Sequence, residues 1–220
     1  MIAALIPLVL TLKVAILATG IVLIAGVGCA YLFARFRIFG SHLIDAICTL
    51  PMVLPPTVLG YYLLVVFGRR GWLGAWLENS FGIQLIFTWQ GAVLASACVA
   101  FPLVYRGARA ALESVDHQLE HAARVLGSGE LKVFFRVSLP LAWRGILAGT
   151  MLAFARAMGE FGATLMIAGS IPGKTQTVSI AIYEAVQAGQ DSLANFLVIL
   201  TSVVCVIVLT ASSKLLKGRF

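Results

Sequence analysis

Residues 8–34 read LVLTLKVAILATGIVLIAGVGCAYLFA, with Lys13 the one charge among them. Crossing the hydrocarbon core of a bilayer takes about 20 predominantly apolar residues in a helix. This run exceeds that, and four more charge-poor runs follow at about 46–67, 85–105, 145–170 and 192–213. An unpaired peptide group in lipid is costly, so each run is expected to be helical throughout, or broken only where protein covers the break. The second run carries such a breaker in LPMVLPP, where Pro51, Pro55 and Pro56 predict a kink or a short loop. The expectation is an all-α, polytopic bundle of about five transmembrane helices, a single domain over 1–220.

Composition agrees. Hydrophobic residues make up 60% of the 220 and charged ones 11%, with a mean hydropathy of +1.00. A soluble domain carries about 25% charged residues, so lipid must cover much of this surface. The net charge of +7 then points to basic membrane loops, not to nucleic acid. Arg35, Arg37, Arg106, Arg109, Arg124, Lys132, Arg136, Arg144, Lys214, Lys217 and Arg219 fall on one side of the spans. Only Arg69, Arg70 and Lys174 fall on the other. The positive-inside rule puts the first set in the cytoplasm. The N-terminus is then outside and the C-terminus inside, with Arg69–Arg70 discordant. A sixth span fits if part of 1–34 or 71–90 folds back. The start MIAALIPLVLTLK lacks a basic n-region, so the first run reads as a retained helix. Cys29, Cys48, Cys98 and Cys205 lie in apolar runs without C-x-x-C spacing and read as small buried hydrophobes.

The longest polar stretch lies between the third and fourth spans. Residues 117–141 read HQLEHAARVLGSGELKVFFRVSLPL. Ala122 and Ala123 are small and flanked by good helix formers. Gly127 is placed to end that helix, because glycine takes positive φ freely. A second amphipathic stretch, ELKVFFRVSL, leads to Pro140 at the next span. Composition alone reads this as a basic hairpin on the membrane surface. It is too short to be a catalytic domain, so energy must come from another polypeptide or from an ion gradient.

The spacing Glu120, Ala122, Ala123, Gly127, Val137, Leu139, Pro140 resembles the EAA signature of ABC importer permeases, with Val137 where isoleucine is usual. In that family the segment is the coupling helix that docks on a nucleotide-binding subunit, with Glu120 able to reach a basic partner at the rim. The blocks LPMVLPPTVLGYYLLVVFGRRG (50–71) and ARAMGEFGATLMIAGSIPGKTQT (155–177) resemble molybdate permeases of the type I importers, and more loosely sulfate and thiosulfate permeases. The resemblance implies a plasma-membrane homodimer, two cytoplasmic ABC ATPases that use ATP and magnesium, and an external oxyanion-binding protein. It implies alternating access, no catalysis by this chain and no cofactor bound to it.

Charges within the membrane usually mark function or a compensating pair. Arg156 and Glu160 stand one helical turn apart and can pair. They either lock helix packing or line the anion path. Gly159, Phe161, Gly162, Ala163 and Thr164 surround them, and the small residues permit close helix approach, as at a constriction between two copies. The Thr164 hydroxyl could face a passing oxyanion or bond back to its own helix. Lys13 is near enough to the outer end of its span to snorkel. AGSIPGKT (168–175) fits a permissive P-loop pattern, yet it follows a membrane helix on the outer face and reads as a turn before an external helix, TVSIAIYEAVQ. His42, His117 and His121 read as solvated loop-edge residues. A secondary transporter would need more titratable groups near the midplane and usually a repeat. A membrane enzyme would need a metal cluster or a nucleophile elbow. Neither pattern is evident.

Overall fold

A computed structural model describes residues 2–35 and 40–216, and the described residues contain helices and no strand. The helices are α1 (Ile2–Arg35), α2 (Ser41–Val53), α3 (Pro56–Phe67), α4 (Trp72–Phe81), α5 (Trp89–Glu113), α6 (His117–Val125), α7 (Glu130–Val133), α8 (Leu139–Met158), α9 (Gly162–Ala168), α10 (Val178–Gln187) and α11 (Asp191–Leu216). A π turn, Phe134–Ser138, joins α7 to α8. Four continuous helical stretches are long and apolar enough to cross a membrane, and α2 with α3 forms a fifth candidate bent by 114°.

The path of the chain follows from what touches α5. Lys13 of α1 lies over the Trp89 ring at 3.6 Å, and Gly26 abuts Val104 and Tyr105. Contacts thus advance together along both helices, so α1 and α5 run in parallel, and the chain between them must cross back. Asp45 of α2 accepts hydrogen bonds from Tyr105 (2.9 Å) and Arg109 (2.8 Å). Leu59 of α3 clusters with Ala95 and Val99. From Arg109 to Ala95 is about 21 Å at 1.5 Å per residue, so α2 and α3 together return the chain to the outer side. Gly107 meets Gly149, and Gly145 meets Ala111. That reversed order makes α8 antiparallel to α5. Leu197 of α11 clusters with Val178 and Ala181 of α10, and Val204 and Cys205 pack on the main core. Five crossings result, and with the basic loops on the cytoplasmic side the chain starts outside and ends inside.

Two spans depart from unbroken helices. In the second, Pro51 stays inside α2, and the break falls at Leu54–Pro55. Leu54 is extended at φ −68°, ψ 139°, as steric clash with the following proline ring favours. Pro56 then opens α3, where a missing N–H costs nothing. The fourth span, expected as one run over 145–170, is interrupted. Its helical rod begins at Glu130, passes the π turn, ends at Met158, and resumes as α9 after Gly159–Phe161. The π turn sits where the Pro140 ring would crowd the carbonyl one turn before it.

The outer basic pair is partly answered. Arg69 donates to Gln84 (3.0 Å), which in turn donates to Glu78 (2.5 Å). Lys13 is exposed at the outer end of α1, where Trp89 holds it. Arg37, Lys217 and Arg219 lie outside the described residues.

Candidate functional site

Two places gather the residues singled out above. The first is the cytoplasmic segment. Asp116 caps α6, its carboxylate accepting from Gln118 N at 2.8 Å. At the other end Gly127 has φ +81°. Gly127 N donates to Arg124 O (2.9 Å) and Ser128 N to Ala123 O (3.1 Å), the paired bonds of a Schellman cap. Across this turn Arg124 grips Glu130 with two bonds, Nε to Oε1 at 2.6 Å and Nη2 to Oε2 at 3.1 Å. That carboxylate raises the Arg124 pKa above its ordinary value.

Glu120 is the main correction here. The expectation put it at a rim, free to meet a basic group on another subunit. Instead it is fully buried and turned into its own chain, where it pairs with Arg35 at the end of α1. Ser138 in the π turn donates to its Oε1 at 2.5 Å. His117 and Arg124 approach its Oε2 at 3.7 and 4.0 Å. His117 is correspondingly more than a solvated residue: Arg35 Nη1 lies 3.0 Å from its Nδ1. Because a guanidinium only donates, Nδ1 must accept and the proton of neutral His117 sits on Nε2. Glu120 therefore ties α6 to α1 and to the start of α8.

Outward α6 presents His117, Gln118 and His121 together with apolar residues, which gather at its C-terminal turn and the start of α7. Val125 and Leu126 are each 85% exposed, Leu131 is 75% exposed, and Leu119 is also exposed. Ala122 is exposed and Ala123 half-buried. Leu139 packs on the core beside Ala142 and Ile146, Val137 is half-buried and Pro140 is exposed. Arg35 reads in the sequence only as a cytoplasmic loop cation, and Ser138, Val125 and Leu126 were not singled out there. Two large apolar residues directly before the glycine of a polar helix were the available signal for the last pair.

The second place is mid-membrane, where the breaks in spans two and four meet. A Cβ on Gly162 would lie 3.0 Å from Pro56 Cβ. The small residue thus serves a close contact within this chain. Arg156 Nη1 pairs with Glu160 Oε2 at 2.7 Å, and Glu160 Oε1 accepts from Ala163 N at 2.9 Å. The expected pair forms, but across a helix end. Glu160 is shielded, at 1% side-chain exposure, whereas Arg156, at 36%, reaches a cavity of about 280 Å³. Pro51, Met52, Leu54, Pro56, Val99 and Leu103 form its other walls. One cation, compensated from behind, thus faces an otherwise apolar chamber. Gly159 is exposed beside the break. Phe161 packs against Tyr183, ring centroids 5.2 Å apart. Thr164 is fully buried and has no hydrogen-bond partner among the described residues. It does not line that cavity, and its hydroxyl does not bond back to its own helix as one expectation had it.

The outer loop 168–177 is a closed turn. Thr175 Oγ1 accepts from Ile171 N at 3.0 Å, and Lys174 N donates to Ile171 O at 3.0 Å. A membrane helix precedes it where a P-loop needs a strand.

Residues 21–220 match the family described as "Binding-protein-dependent transport system inner membrane component". The chain is 47% identical over 209 residues to the molybdenum transport system permease protein ModB of Escherichia coli (strain K12), covering 94% of this chain and 91% of that one. It is 44% identical to the putative molybdenum transport system permease protein YvgM of Bacillus subtilis (strain 168), covering 93% and 88%. With the sulfate transport system permease protein CysW of Synechococcus elongatus it shares 35%, covering 96% and 73%. Among solved structures, the MetNI methionine ABC transporter in inward-facing conformations superposes with TM-score 0.73 at 16% identity, covering 96% of this chain and 94% of that chain. A bacterial ABC importer of alginate superposes with TM-score 0.72 at 15% identity, covering 95% and 78%. At these identities the two structures speak for the fold.

Proposed function

This chain belongs to the inner-membrane components of binding-protein-dependent transport systems, and from that premise we propose that it forms the translocation pathway of an ATP-driven molybdate importer. Such components are multi-pass proteins of the inner membrane, and the five crossings fit that place. The observation that carries the reading is the capped α6 with its outward Val125 and Leu126. A large apolar pair exposed on the cytoplasmic side, on a helix pinned from behind by Arg35–Glu120, suits a rigid knob seated in another subunit. That subunit is an ABC ATPase, which uses ATP and magnesium, while this chain contributes no catalytic group. Two copies of each subunit, with an external oxyanion-binding protein, complete the importer.

In this reading, closure of the ATPase pair draws the two α6 knobs together and opens the pathway outward. The anion leaves its binding protein and passes the Arg156 cavity, and hydrolysis reverses the motion. Arg156, already compensated by Glu160, attracts an oxyanion without holding it, as a conducting route requires. Molybdate is favoured over sulfate because identity to the molybdenum permeases exceeds that to the sulfate permeases. The second reading, a sulfate or thiosulfate permease, rests on the 35% relative.

The test is uptake by vesicles holding this chain, its ATPase and its binding protein. Molybdate uptake should require internal ATP and be little reduced by a hundredfold excess of sulfate. Leu126→Asp and Gly127→Val should insert normally yet cut uptake at least tenfold, the first by charging the knob and the second by straining the φ of +81°. Equal competition by sulfate would move the substrate. Uptake driven by an ion gradient without ATP, or normal uptake by both variants, would overturn the reading.

A further inference from the structure

Between α1, α8 and the π turn lies an apolar groove of about 500 Å³ that the transport reading leaves unused. Its walls include Leu23, Val27, Phe135, Trp143, Leu147 and Thr150. Along α8 the groove extends from Leu139 to Thr150, about 16 Å at 1.5 Å per residue. That equals about half the ~30 Å hydrocarbon thickness. The groove begins at the cytoplasmic end, beside Phe134 and Trp143, and stops near the midplane. Its length is that of one leaflet's acyl chain.

The rim of the groove is cationic. Arg144 is exposed, with its guanidinium carbon 5.9 Å from the centre of the Trp143 ring that forms the wall. Lys132 and Arg136, also exposed, flank Phe134 and Phe135 in sequence, at the cytoplasmic end of the groove. The ion pairs of the cytoplasmic side go to Arg35, Arg109 and Arg124, and none of the three rim cations has an acidic partner among the described residues. Lys132 and Arg136 stand at the cytoplasmic end of this slot. Arg144, about 8 Å further along α8, has a stem long enough to bring its guanidinium back toward them. The three uncompensated cations complement a negative headgroup and its chain. Basic juxtamembrane side chains are drawn to an anionic leaflet. We propose that this groove is a binding site for an anionic phospholipid of the cytoplasmic leaflet, its acyl chain between α1 and α8 and its phosphate at Arg144 with Lys132 and Arg136. The bound lipid would fill the space behind the π turn that carries Ser138, and so steady the base on which Glu120 holds α6.

Trp143 reports directly on the site. In the full-length chain with Trp72, Trp76 and Trp89 replaced by Phe, vesicles would contain 10% of lipid with brominated acyl chains in a phosphatidylcholine background. Brominated phosphatidylglycerol should quench Trp143 at least threefold more than brominated phosphatidylcholine at the same fraction. Lys132→Gln, Arg136→Gln and Arg144→Gln together should abolish that preference while leaving quenching by brominated phosphatidylcholine intact, which shows the variant is folded and inserted. Equal quenching by both lipids in the unaltered chain would make the groove ordinary lipid surface and overturn the proposal. So would protection of Trp143 from both lipids, which would mark the groove as an interface between copies. A preference that survives the triple change would overturn the assignment of the headgroup site.

Discussion

Arg156 and Glu160 show how one ion pair can carry unequal weights. Glu160 is shielded from solvent and also accepts from Ala163 N, while Arg156 keeps a third of its side chain open to the cavity. Stranding a buried charge costs about 3–5 kcal/mol. Arg156→Gln should therefore approach that range, because Glu160 is left without a cation. Glu160→Gln should cost less, because Arg156 can hydrate in the chamber and the new amide oxygen can still accept from Ala163 N. The double change should recover most of the loss, since removing both charges of a buried pair is often nearly neutral. Thermal unfolding of the three purified variants checks the order. Recovery of stability without recovery of transport would place Arg156 on the anion route, and recovery of both would reduce the pair to packing. The pairing itself was legible from the i, i+4 spacing. The asymmetry was not, because it depends on Pro51, Leu54 and Val99, which come from other parts of the chain.

At the scale of elements, a close backbone contact forms where α5 and α8 cross. A Cβ on Gly107 would stand 3.0 Å from Gly149 Cα, and one on Gly149 would stand 2.9 Å from Leu103 O. Gly145 and Gly149 form a G-x-x-x-G, a spacing that lets backbones approach closely in membranes. The spacing stands in the sequence, but its partner on α5 is set by the fold. Backbone cannot yield as a side chain end can. Gly149→Leu should therefore separate the helices and destabilise the protein by about 1–3 kcal/mol, the usual cost of overpacking. Gly20→Leu should be near neutral, because nothing lies within 4 Å of its Cβ position. Comparing the detergent-solubilised variants by melting temperature tests this contrast. If Gly149→Leu melts like the unaltered chain, the crossing is more compliant than its geometry states. Residues 117–125 were legible as a helix ending at Gly127, because a cap is local chemistry. The bond from Ser138 to Glu120 spans 18 residues of chain and needed the fold.

For the whole molecule, α1, α5 and α11 run one way while α2–α3 and α8–α9 return. A single cysteine at Ser128 should accordingly react with a membrane-impermeant maleimide only from the cytoplasmic face, and one at Pro172 only from outside. Cys29, Cys48, Cys98 and Cys205, half-buried in the spans, would first be replaced by Ala. Labelling of both positions from one side would overturn the five-crossing path. Much of this path was determined by the sequence alone. Apolar length sets the number of crossings because peptide groups in lipid must bond within their own helix. The distribution of Lys and Arg sets their direction because translocating positive loops is disfavoured. What only the tertiary structure decided is where the helices break and what fills each break. Pro55 predicts a bend, but its depth and its meeting with Gly162 depend on how α3 and α9 lie against α5. Glu120 likewise reads as a free surface charge along the chain. Arg35 of α1 and Ser138 of the π turn close on it, and burial beside Arg35, not local spacing, decides what it binds.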